Sequence, residues 1–266
     1  MKNRIEKRLA ALKREGKKAL VAFVTAGDPH LKWTPQVVLE LEKAGADVVE
    51  LGMPFSDPMA DGPVIQKSSE RALKAGATLK GIFQAVAQVR KTSEIPILLM
   101  GYFNPILQYG ISQFFATAKR AGVDGVLLVD LPPEEGEEAR RAAKAEGISL
   151  VYLLSPTSGR DRIDLVRRKG SGFIYYVSLT GVTGAAIRSQ PALQQKLKEV
   201  VSGSPLPVCV GFGIKSAEQA GAMARQADGV VVGSALVDCF AKARPKEAIA
   251  KVSRLIRAMA KAVRAA

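Results

Sequence analysis

The most constraining feature of this chain is an alternation. Short apolar, β-branched runs recur along its 266 residues, with helix-like segments between them. The runs are Leu20–Thr25, Asp47–Leu51, Ile95–Met100, Gly125–Asp130, Ser149–Leu154, Gly172–Ser178, Pro207–Gly211 and Gly229–Gly233. The segments between them end in small-residue turns such as Ala44-Gly45-Ala46-Asp47 and Ala121-Gly122-Val123-Asp124. Glycine there supplies the left-handed helix end, and the next strand starts within a few residues. Strands of near-continuous Val, Ile and Leu imply a parallel sheet covered on both faces. Eight such units in this length predict a closed (β/α)8 barrel of the TIM type, an α/β fold. No Ser/Gly/Pro-rich linker interrupts the pattern, so residues 1–266 are expected to form a single barrel domain. Ile5, Leu9 and Leu12 fall at helical spacing and predict an extra N-terminal helix under the barrel.

Composition excludes several classes. With 47% hydrophobic and 24% charged residues the chain is neither disordered nor fibrous. Its longest apolar runs are about a third of what a membrane crossing needs. Two cysteines rule out a disulfide framework, and Cys209, inside an apolar run, reads as inert core. The N-terminus lacks the apolar stretch of a secretion signal, so a cytoplasmic address is expected. The net charge of +14 invites a nucleic-acid reading. Yet the excess is spread over several helical stretches, with no aromatic ladder and no nucleic-acid motif. It reads as solvated helix faces.

A barrel carries its chemistry at the C-terminal ends of the strands and in the loops that follow. Those ends hold five acids: Asp28, Glu50, Asp57, Asp61 and Asp130. Asp28 and Asp57 precede proline, which is common turn chemistry, and Asp130 precedes a Leu-Pro-Pro turn. Glu50 ends a strand run, and alternation places it partly inside the mouth. A carboxyl there is either bonded to loop amides or has a raised pKa suited to proton transfer near neutral pH. The ends of strands 6 to 8 are rich in Gly and Ser, and Gly184, Gly213, Gly233 and Ser234 converge on the quadrant that often grips phosphate. The lone histidine, His30, reads as a helix-start surface residue, which excludes a His-rich metal site. Without a lysine at any strand end, a Schiff base has no obvious nucleophile. Neither a Gly-x-Ser-x-Gly elbow nor a Walker loop is present.

The run Glu50-Leu-Gly-Met-Pro-Phe-Ser-Asp-Pro-Met-Ala-Asp-Gly-Pro63 resembles the signature of the tryptophan synthase α subunits. Phe23–Pro29, Gly101–Pro105, Thr180–Ala185 and Val210–Ile214 resemble that family too, in the same order along the chain. The resemblance implies retro-aldol cleavage of indole-3-glycerol phosphate to indole and glyceraldehyde 3-phosphate, as one step of tryptophan biosynthesis. It implies Glu50 as the acid/base residue and Asp61 as the acceptor of the indole N–H. It implies an indole pocket of Phe23, Met100, Tyr102, Leu127, Val129 and Phe212, with Tyr175 in the site. Thr183 would bond the aspartate from a loop over 179–188 that closes on substrate. The implied partner is a pyridoxal-phosphate-dependent β subunit in an α2β2 heterotetramer, facing Ser56, Asp57, Pro58, Asn104 and Pro105. The pyridoxal phosphate belongs to that partner, and no cofactor or metal is expected here. The alternatives are a stand-alone indole-3-glycerol phosphate lyase, a catalytically weak module that activates a β subunit, and another phosphate-binding barrel.

Overall fold

The structure, a computed structural model, describes residues 2–177, 191–211, 213–241 and 243–266, with the side chains of 191–193 left aside. Eight parallel strands close into a barrel in sequence order. They are β1 (Ala19–Thr25), β2 (Val48–Gly52), β3 (Ile97–Gly101), β4 (Gly125–Leu128), β5 (Ser149–Leu154), β6 (Ile174–Val177), β7 (Val208–Gly211) and β8 (Gly229–Val232). All eight expected strands are present. The fourth is shorter than read from sequence: its register with β3 ends at Gly101 and Leu128, Val129 N still donates to Gly101 O at 3.0 Å, and Asp130 lies in the following loop.

Helices wrap the outside. They are α1 (Arg4–Arg14), α2 (Thr34–Ala44), α3 (Pro63–Lys74), α4 (Leu79–Val89), α5 (Phe103–Tyr109) and α6 (Ile111–Ala121), then α7 (Glu137–Ala145) and α8 (Arg160–Lys169). After the sixth strand come α9 (Pro191–Ser202), α10 (Ala217–Ala224), α11 (Ser234–Ala241) and α12 (Pro245–Arg264). Among the described residues no helix is long and apolar enough to cross a membrane.

Two apolar layers follow from strand alternation. Outward residues such as Val49, Leu51, Leu99, Val126 and Val210 pack under the helices. Inward residues Val21, Val48, Leu98, Leu127, Val151, Phe173, Cys209 and Val231 fill the interior. Ile5, Leu9 and Leu12 of α1 join that interior cluster, so the N-terminal helix plugs the bottom as expected. The fit is close. A Cβ at Gly125 would lie 2.7 Å from Ile5 Cδ1, so β4 needs glycine where the plug enters. Asn3 caps α1, accepting from Glu6 N at 3.1 Å while Asn3 N donates back to the Glu6 carboxylate at 3.3 Å.

The repeated turn aspartates have a shared role. Leu20 N donates to Asp47 Oδ2 at 2.8 Å, Ile97 N to Asp124 Oδ2 at 2.9 Å, and Val208 N to Asp228 Oδ2 at 2.9 Å. Each carboxylate thus takes an amide at the start of the preceding strand. Asp47 is also bound by Arg8, and Asp124 by Arg4 and Arg90. Arg4 and Arg8 thereby anchor α1 to the strand starts, and the rim at the other end is left for the site.

Candidate active site

Glu50 is the third residue of β2. Val48 belongs to the interior and Val49 and Leu51 to the outer layer, so alternation turns Glu50 inward. Strand register sets it beside Phe23 of β1 and Leu98 of β3. The residue is 0% exposed, and both carboxylate oxygens lack a hydrogen-bond partner among the described residues. Its pKa is pushed up to about 8, first by burial and then by the nearby Asp61. Among the described residues no loop amide bonds this carboxyl, and burial raises its pKa.

Asp61 lies after β2, one residue before Gly62, the N-cap residue of α3, and it is half-buried. Burial raises its pKa, while the hydroxyl of Tyr102, donating to Asp61 Oδ2 at 3.1 Å, pulls the other way. That hydroxyl also accepts from Ala60 N at 3.0 Å. From the opposite side Gln66 Nε2 donates to Asp61 O at 2.9 Å and to Pro58 O at 3.3 Å. The carboxylate therefore sits on a bracketed segment rather than a free loop.

The interior brings most of the expected pocket together. Leu127 is part of the inner cluster, and Met100, Val129 and Tyr175 pack against it. Phe23 is buried, with its ring against Gly233, where a Cβ would lie 3.3 Å away. Gly233 and Ser234, at the start of α11, thus stand beside the apolar pocket. Gly213 is exposed with φ +54, a conformation that favours glycine, and it precedes α10 by a few residues. The Tyr175 hydroxyl comes so near β7 that a Cβ at Gly211 would be 2.8 Å from it. Burial, with Glu50 as the next contributor, raises the Tyr175 pKa well above the ordinary tyrosine value. Thr183, Gly184 and Phe212, with the whole of 179–188, lie outside the described residues.

Of the other acids, Asp28 and Asp130 take structural roles. Asp28 is buried and paired with Arg71, whose Nη2 lies 2.6 Å away. Asp130 Oδ1 accepts from Phe103 N at 2.8 Å and so holds the first turn of α5. Asp57 is exposed and accepts from the Ser56 hydroxyl. Ser56 and Asn104 are exposed, and Pro58 and Pro105 half-buried, on one rim that also carries Met59, which is 92% exposed. His30 caps the short 3-10 helix Leu31–Trp33, its Nδ1 accepting from Lys32 N at 3.2 Å. Among the described residues no group of three or more His, Cys, Asp or Glu could hold a metal ion.

Sequence reasoning missed three neighbours. Leu153 of β5 packs with Val129 and Tyr175 against the inner cluster; its inward position on β5 was the available signal. Phe55 packs on Tyr102 with ring centroids 5.2 Å apart. Gln66 was passed over because a glutamine in the second turn of a helix carries no local mark.

Comparison with known proteins agrees over nearly the full length. The family model described as tryptophan synthase alpha chain matches residues 9–264. The chain is 54% identical to the tryptophan synthase alpha chain of Geobacter sp. (strain M21) over 261 residues, covering 98% of each. It is 49% identical to that of Geobacter sulfurreducens, covering 98% of this chain and 99% of the relative. Among solved structures it is similar to tryptophan synthase subunit alpha from Legionella pneumophila, with TM-score 0.89, 43% identity and 99% coverage of both chains. It is also similar to a chain of the tryptophan synthase α2β2 complex of Pyrococcus furiosus, with TM-score 0.84 and 37% identity, covering 91% of this chain and 98% of that one.

Proposed function

The chain belongs to the tryptophan synthase alpha chain family, and we propose that Glu50 and Asp61 carry out its reaction. That reaction is the cleavage of indole-3-glycerol phosphate to indole and glyceraldehyde 3-phosphate, a lyase step of tryptophan biosynthesis. Its partner is the tryptophan synthase β subunit, with which α chains form the α2β2 complex. A stand-alone lyase is not favoured.

The chemistry needs one proton moved. Carbon 3 of the indole must gain a proton for the bond to the glycerol chain to break, and the adjacent hydroxyl must lose one as it becomes the aldehyde. With its pKa raised to about 8, Glu50 holds a proton at neutral pH. It can give that proton to carbon 3 and, as the carboxylate left behind, take the hydroxyl proton. The bond's electron pair returns to the ring and restores the indole. Positive charge develops on the ring nitrogen in between. Asp61 accepts the N–H there and stabilises that charge, an effect worth about 3 kcal/mol in comparable sites. Phe23, Met100, Tyr102, Leu127, Val129, Tyr175 and Phe212 hold the indole. Gly184, Gly213, Gly233 and Ser234 hold the phosphate, and Thr183 closes over the site toward Asp61.

The observation that carries this reading is the fully buried Glu50, its carboxylate without a hydrogen-bond partner among the described residues, beside a half-buried Asp61 at the mouth of a closed barrel. We further assign Ser56, Asp57, Pro58, Asn104 and Pro105 to the partner interface, no cofactor to this chain, pyridoxal phosphate to the β subunit, and a cytoplasmic location to a single-domain protein. The test is indole release from indole-3-glycerol phosphate with and without a β subunit. Slow release that rises steeply on adding the β subunit supports the reading. Fast release alone would revive the stand-alone lyase, and none in either case would overturn the chemistry.

A further inference from the structure

Asp61 can meet the indole nitrogen only if its backbone stays in place. Residues 58–61 run over the rim with little regular structure; Asp61 N donates to Pro58 O at 3.1 Å, closing a single turn. Two side chains from elsewhere bracket that turn. The Tyr102 hydroxyl takes Ala60 N and bonds the Asp61 carboxylate. Gln66, one turn into α3, is half-buried and directs both protons of its amide to carbonyls at the two ends of the turn, Pro58 O and Asp61 O.

This arrangement is asymmetric. Tyr102 bonds the reacting carboxylate, whereas the Gln66 side-chain amide, among the described residues, bonds backbone carbonyls. Yet the Asp61 carbonyl is two bonds from its Cα, so fixing it limits the directions the side chain can take. The helix supplies a rigid base, since Gln66 N itself donates to Gly62 O at 3.0 Å. A glutamine suits the task because its NH2 offers two donors at once, and two carbonyls are what must be satisfied.

We propose that Gln66 is a positioning residue for the cleavage reaction: its carboxamide holds the Pro58–Asp61 turn so that the Asp61 carboxylate is aimed into the pocket. This rests on Asp61 being the group that meets the indole nitrogen. Loss of the amide donors leaves pocket and phosphate grip intact, so the effect falls on kcat more than on KM.

The test uses the chain in complex with a β subunit and reads glyceraldehyde 3-phosphate formation. Gln66→Met, which keeps length and removes both donors, is expected to lower kcat by about tenfold with KM changed less than about twofold. Gln66→Glu presents a carboxylate that repels both carbonyls at high pH but regains one O–H donor when protonated. The ratio of its kcat to that of the unmodified chain is therefore expected to rise as pH falls, whereas a bare charge effect, raising the pKa of Asp61 and Glu50, would make it fall. Unchanged kcat in Gln66→Met overturns the proposal, and so does a kcat ratio for Gln66→Glu that stays flat or falls as pH falls. Asp61→Asn separates the two levels: if it retains full turnover, the role of Asp61 itself is wrong, whatever Gln66 does.

Discussion

The Tyr102 hydroxyl donates to Asp61 Oδ2 at 3.1 Å and accepts from Ala60 N at 3.0 Å, so one side chain of the strand 3 loop fixes both the backbone and the charge of the strand 2 loop. A hydrogen bond to the carboxylate favours its ionised form. Tyr102→Phe removes that bond and leaves the ring in place against Phe55. The acid limb of the kcat profile is expected to move to higher pH, and kcat at neutral pH to fall about threefold to tenfold, in line with the ~1 kcal/mol of one hydrogen bond. A pH–rate series on the α2β2 complex checks both.

Glu50 and Asp61 also act on each other. The Asp61 charge is the second cause of the raised Glu50 pKa, after burial. Asp61→Asn removes the like charge, so the Glu50 carboxyl should titrate below its present value of about 8. The check is to follow that carboxyl by carbon-13 NMR or difference infrared spectroscopy in both proteins. A midpoint that stays put or rises would contradict the pairing.

Burial of Glu50 costs stability, and the sign follows from linkage. Its folded pKa is about 8 and its ordinary value 4.5, so the folded chain keeps a proton that the unfolded chain releases across that window. Stability from this group is present below pH 4.5 and is lost as pH rises toward 8. Glu50→Gln is neutral throughout. Its unfolding free energy, from urea titration, should match that of the unmodified chain at low pH and exceed it increasingly toward pH 8, by an amount reaching roughly 4 kcal/mol. The same residue that enables the reaction therefore weakens the fold.

At the opposite end of the barrel the effect reverses. Asp124 is buried, takes Ile97 N at 2.9 Å and pairs with Arg90 at 2.8 Å and Arg4 at 3.1 Å. Asp124→Ala leaves Arg90 and a strand amide without that carboxylate. It should lower stability by about 3–5 kcal/mol while leaving kcat of the folded enzyme within about twofold. Urea unfolding and turnover, measured on the same sample, separate the two.

The barrel was legible because its strands announce themselves. Val, Ile and Leu runs such as Ser149–Leu154 and Gly229–Gly233 can bury both faces only in a parallel sheet under helices. The inward turn of Glu50 followed from the same period-two rule. What the sequence withheld was non-local. Asp47 and Asp124 stand out as a repeated turn motif, but a motif does not say that each carboxylate, like that of Asp228, reaches back to the amide of the strand before it. Asp130 read only as a turn residue, because its acceptor role toward Phe103 N joins loops 27 positions apart. Phe55 stacks on Tyr102 across the rim for the same reason. The division of labour between Glu50 and Asp61 came from family resemblance. The burial that suits Glu50 to proton transfer needed the fold.

The most direct test of the central claim is turnover of Glu50→Gln in the α2β2 complex with indole-3-glycerol phosphate. Glutamine keeps the size and position of the side chain but cannot exchange a proton. A kcat lower by about 10³-fold or more is expected, with substrate binding retained. A kcat within about tenfold of the unmodified enzyme would contradict it, and another group would have to move the proton.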